Sequence, residues 1–157
     1  MTLRRLREPP GSRCFVCAPG NPAGLAVQFH YDDTDRSVQA EVCFDERHCG
    51  APGYVHAGLT GAVLAEAMAW AVVAGTGQFG VTLSCHTEYR RPLRVGTGYL
   101  VRARVADVAG PVVRTTVECL AGQRRYATGS ARFQALSAAV AARLRARVSQ
   151  PAGGSRP

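Results

Sequence analysis

The chain has 157 residues, enough for one domain with a real core, and its 46% hydrophobic and 19% charged content suits a folded domain, not a disordered one. All 19 basic side chains are arginine, which excludes Schiff-base chemistry and a lysine general base. The net charge of +8 suits an anionic ligand, yet much of the excess sits at the two ends (Arg4, Arg5, Arg7 and Arg13; Arg143, Arg145, Arg147 and Arg156), where solvated tails account for it equally well.

In chain order, residues 1–13 read as a disordered segment closing on the breaker run "EPPGS". The segment has no apolar core of a secretory leader, and no apolar run approaches the roughly 20 residues that cross a bilayer. The expectation is a soluble cytoplasmic protein. A single domain then spans 14–148. Its opening "CAPGNPAG" is turn chemistry, and "LAVQFHY" alternates, with Leu25, Val27, Phe29 and Tyr31 on one face. "SVQAEVCF" alternates again across a polar turn, predicting a hairpin.

After the loop "DERHCGAPGYVHAG", residues Leu59 to Ala74 predict a helix apolar almost all round, stopped by Gly75 and Gly77 and buried on most sides. Four strand-like runs follow at 81–89, 99–108, 112–120 and 124–134, read as an antiparallel meander. An amphipathic helix from Leu136 to Val148 and a disordered tail, 149–157, close the chain. A sheet wrapping one apolar helix is an α+β layout.

Most of the six cysteines (Cys14, Cys17, Cys43, Cys49, Cys85 and Cys119) lie in apolar, strand-like surroundings and read as packed free thiols. Cys14 and Cys17 form a lone CxxC. A zinc site would need Cys43, His48, Cys49 or His86 to fold back on it, so the expectation is no metal. The strands lack the spaced exposed aromatics that stack bases, which argues against nucleic acid.

Three stretches, "CFVCAPGNPAGL", "HCGAPGYVHAGLTGAVLAEAMAWA" and "EYRRPLRVG", resemble the hot-dog-fold acyl-CoA thioesterases of the phenylacetate-pathway and 4-hydroxybenzoyl-CoA type. The resemblance covers roughly residues 14 to 134. It implies a hot-dog fold: a long buried helix wrapped by a curved antiparallel sheet, here with a C-terminal helix added. It also implies a homodimer or homotetramer with sites between subunits, and an acyl-CoA or acyl-carrier-protein substrate; the lack of a long apolar run adds the expectation of no membrane partner. No cofactor is implied beyond the CoA or phosphopantetheine that the substrate carries.

The family's HGG loop falls on His56, Ala57 and Gly58, whose amides at the helix start would polarise the thioester carbonyl. The family's catalytic Asp or Glu stands nine residues after the His, and that position is Ala65. Ala65 lies on a small-residue face with room for an acyl group. Glu66, one place on, is the best remaining carboxylate to activate water. The competing reading gives it a structural bond to the loop before the helix. His56 is either an acid–base group or a ring that fixes the turn.

Thr82, Ser84 and His86 are expected to alternate on one face and to contact substrate, as the resemblance places water-orienting polar groups there. Arg90, Arg91 and Arg94, with Arg132 as a further candidate, are expected to hold CoA phosphates. Besides hydrolysis, two readings stay open: a non-hydrolytic acyl-thioester binder, and cyclisation or dehydration of a tethered chain.

Overall fold

The long apolar run forms helix α1 (Ala57–Thr76), slightly longer than expected. Gly77 ends it in the left-handed region at φ 73°, donating its N–H back to the Val73 carbonyl. Val63, Leu64, Ala67, Met68, Ala71 and Val72 are buried against the sheet. The computed structural model describes residues 3–148. The expected tail at 149–157 lies outside the described residues.

The sheet has seven antiparallel strands: β1 (Leu3–Arg5), β2 (His30–Asp32), β3 (Ser37–Cys43), β4 (Gly80–Tyr89), β5 (Gly98–Ala109), β6 (Val112–Ala121) and β7 (Arg124–Ala135). Their order is β1-β2-β3-β5-β6-β7-β4. Helix α2 (Ala138–Val148) follows. Alternation places Val113, Val117 and Cys119 of β6 and Ala127, Ala131 and Phe133 of β7 inward, and α1 packs on that face. This is the α+β hot-dog arrangement.

Several expectations need correction. Strands β5, β6 and β7 do form a meander, but β4 crosses to the far edge and pairs with β7. The stretch between β4 and β5 holds a turn and Pro92, too long for a hairpin. Residues 3–5 form β1 rather than disorder: Arg4 pairs with Tyr31 and its guanidinium stacks 5.5 Å from that ring, while the buried Leu6 bonds to the Phe29 carbonyl. Of "LAVQFHY", His30 and Tyr31 are in a strand, because Ala26 at φ 51° breaks the extended backbone and Val27 bonds to Val16 instead. Val27, Phe29 and Tyr31 are nonetheless buried in alternation.

Helix α1 is, contrary to expectation, long and apolar enough to cross a membrane, with a mean hydropathy of 1.6 over its most apolar window. Its contacts with β3, β4, β5, β6 and β7 make it the core helix of a sheet. Its burial is incomplete: Gly58 is exposed, and Gly61, Ala62, Ala65, Glu66 and Ala69 are half-buried. This small-residue face is only partly covered by the described residues.

Candidate functional site

Two loops fix the start of α1. A short 3-10 turn (Glu46–His48) is capped by Asp45, which Arg47 and its own backbone amide hold well below the usual carboxylate range, at about 2. The His48 carbonyl accepts the His56 N–H at 2.8 Å. Val55 N–H bonds to the Leu93 carbonyl at 2.9 Å, and Val95 N–H to Gly53 at 3.2 Å, so the segment after β4 is zipped to the loop before the helix.

His56 is the N-cap. Its Nδ1 accepts the Gly58 N–H at 2.9 Å, and its carbonyl accepts the N–H groups of Leu59 and Thr60. An accepting Nδ1 puts the ring proton on Nε2. Of the first-turn amides, therefore, Gly58 is spoken for. The Ala57 N–H at the first helical position has no acceptor within the helix, and none among the described residues. The Ala57 carbonyl also accepts the Tyr89 hydroxyl at 2.7 Å, tying the end of β4 to the helix start. Burial raises the Tyr89 pKa, keeping that phenol a donor.

Helix geometry separates the carboxylate from this donor. Glu66 lies about 180° round the helix and about 13.5 Å along it from Ala57. Its Oε1 accepts the Cys17 thiol at 3.1 Å. Ala65 shares the face of Gly58 and Gly61, where a Cβ on Gly61 would stand 3.0 Å from the Tyr89 hydroxyl. Glu66 is thus brought together with Cys14 and Cys17, not with Ala57, and its partner is the N-terminal loop rather than the loop before the helix.

The β4 row is divided. A register slip between Thr82 and Ser84 sets Thr82 opposite the inward Phe133, but Ser84 and His86 opposite the outward Arg132 and Ser130. Ser84 and His86 therefore stand on the sheet face turned away from α1, with Thr82 on the other. Beyond the slip, Cys85, Thr87 and Tyr89 share the face that carries α1. His86 lies 3.5 Å from Glu88 in the open.

Arg90, Arg91 and Arg94 cluster beside the helix start, their segment bonded to 53–55 and to the Tyr126 carbonyl. Arg94 stacks over Tyr54 at 5.3 Å. Arg132 is not with them, lying on the outer face between Ser84 and Arg114. Among the described residues, Arg90, Arg91, Arg94 and Arg132 form no ion pair. By contrast Arg47, Arg102, Arg104, Arg114 and Arg125 each pair with a carboxylate. Sequence reasoning passed over Tyr89, although it stands in the quoted "EYRRPLRVG". It also passed over the meeting of Glu66 with the CxxC, for which the sequence holds no signal.

The family model described as "Thioesterase superfamily" matches residues 52–128, which run from the loop before α1 to β7. No match is found among the curated proteins. Among solved structures, one thioesterase superfamily protein is similar at a TM-score of 0.71 and 24% identity, over 75% of this chain but 61% of its own. Thioesterase superfamily member 2 of zebra fish is similar at 0.65 and 21%, over 76% of this chain and 88% of its own. A mutant of the phenylacetic acid degradation protein PaaI from Thermus thermophilus is similar at 0.63 and 22%, over 70% and 93%. Taken with the helix-in-sheet arrangement, these similarities show that the chain has the hot-dog fold, and that its residues 52–128 match the thioesterase superfamily model.

Proposed function

We propose that this protein acts on an acyl thioester of CoA or of an acyl carrier protein, bound at the start of α1, and that its leading activity is hydrolysis. The observation that carries the reading is the Ala57 N–H, which has no acceptor among the described residues, beside Arg90, Arg91 and Arg94, which form no ion pair among them. The thioester carbonyl oxygen takes its hydrogen bond from Ala57. Water attacks the carbonyl carbon, the oxyanion rests on that amide, the C–S bond breaks, and the thiol leaves with a proton from the water. The arginines hold phosphate of CoA or phosphopantetheine. The chemistry asks for no cofactor of its own.

The partly covered small-residue face of α1 and the exposed β4 edge favour a homo-oligomer. Val81 and Leu83 on that edge are 49% and 50% exposed. A second reading, non-hydrolytic binding, is favoured by Ala65 together with the engagement of Glu66 by Cys17, which leave the helix face without a base.

Thiol release from aryl-, short- and long-acyl-CoA panels tests both. Turnover by wild type that Glu66→Gln leaves intact supports hydrolysis with water activated from outside α1. Turnover abolished by Glu66→Gln, with the fold intact, would return Glu66 to the chemistry. Wild type that binds acyl-CoA without turnover, and gains turnover in Ala65→Asp, supports the binder. Neither binding nor turnover sinks the proposal.

A further inference from the structure

The N-terminal loop and the middle of α1 bring two thiols and a carboxylate to one point. One ligand atom from each of Cys14, Cys17 and Glu66 lies within 4.8 Å of the others, and Cys17 Sγ is 3.1 Å from Glu66 Oε1. Ligands of a tetrahedral zinc stand about 3.5–3.8 Å apart, given Zn–S near 2.3 Å and Zn–O near 2.0 Å. Small side-chain adjustments would therefore close the site. The two cysteines have the spacing of a zinc-binding turn, and the Ala18 N–H folds back on the Cys14 carbonyl at 3.2 Å to make that turn.

We infer that Cys14, Cys17 and Glu66 form a zinc site that ties the N-terminal loop to the centre of α1. Charge is the first reason. The cluster borders a cavity of about 170 Å³ whose lining also includes Glu8, Ser12 and Trp70 and contains no arginine, in a chain with 19 of them. A carboxylate half-buried on an otherwise apolar helix calls for a strong partner, and a thiol is a weak donor.

Cys17 is the second reason. It is 4% exposed, and its Sγ faces Glu66 Oε1 at 3.1 Å, so the thiol and the carboxylate already converge on one buried point that a cation would bridge. The third is Trp70. It is 8% exposed, lines the same cavity, and its indole Nε1 has no hydrogen-bond partner among the described residues. A water completing the zinc shell on the cavity side is an acceptor for such a donor. Two thiolates select zinc over magnesium or calcium.

The experiment is metal analysis of the full-length chain purified without chelator, with cobalt substitution for spectroscopy. The expected result is one zinc per chain and thiolate-to-cobalt charge-transfer bands in wild type. Cys14→Ser, Cys17→Ser and Glu66→Gln should each lose the metal, whereas Cys43→Ser and Cys85→Ser should keep it. Wild-type protein that takes up neither metal overturns the inference without any variant. So does zinc that survives in the Cys14→Ser, Cys17→Ser double variant, or a disulfide joining the two under metal-replete reducing conditions.

Discussion

His56 Nδ1 accepts the Gly58 N–H at 2.9 Å, so the residue that caps helix α1 also decides which of its amides is free. The Ala57 N–H remains. Ala57→Pro removes that one hydrogen at a position where proline fits. The first helical turn tolerates its ring, and His56, at φ −61° and ψ 126°, already has the backbone that a residue before proline requires. Turnover should fall by about 10²–10³ while the circular dichroism spectrum is unchanged. Undiminished thiol release from a folded Ala57→Pro protein would take the oxyanion role away from this amide.

The arginines make a separate prediction because they act on the far end of the substrate. Replacing Arg90 and Arg91 together by Ala should raise KM for acyl-CoA about 10-fold, on the scale of one charge-assisted phosphate contact. Turnover of the same acyl group on a short thiol lacking phosphate should not change. An equal loss on both substrates would mean that the pair supports the loop and not the phosphate.

Gly129 on β7 has a stability role that follows from backbone spacing. A Cβ there would stand 2.8 Å from the His86 carbonyl oxygen and 3.1 Å from Val117 Cγ1. The first contact is backbone on the neighbouring strand, so Gly129→Ala should push β4 away from β7. The expected cost is about 1–3 kcal/mol, read as a lower urea midpoint. An unchanged midpoint would show that the edge strand moves freely.

Local signals carried most of this architecture. Alternation located β5, β6 and β7, and the apolar run located α1, because burial on one face imposes a period that survives in any sequence. What was lost is long-range. The pairing of β4 with β7 rather than β5 depends on a crossover that no local pattern encodes. The split of Thr82 from Ser84 and His86 comes from one slipped residue, Leu83, whose neighbours still read as a plain strand. At the site, His56, Ala57 and Gly58 were legible as a loop-to-helix motif. The engagement of Glu66 with Cys17 joins positions 49 apart, which spacing arguments cannot reach.

The pH dependence of stability above neutrality should rise from the buried thiol of Cys119. Burial pushes Cys119, 1% exposed, up from its ordinary 9.0 to about 12. The folded state holds its proton more tightly than the unfolded chain. Its stabilisation is therefore complete below pH 9.0 and is lost as pH climbs through the window up to about 12. The slope is about 1.4 kcal/mol per pH unit. Urea unfolding on either side of pH 9.0 should show wild type losing stability faster than Cys119→Ala. Arginine and tyrosine titration affects both proteins alike and cancels in the difference. Curves that stay parallel through that window would mean that Cys119 ionises as readily folded as unfolded, and that water reaches it beneath the sheet.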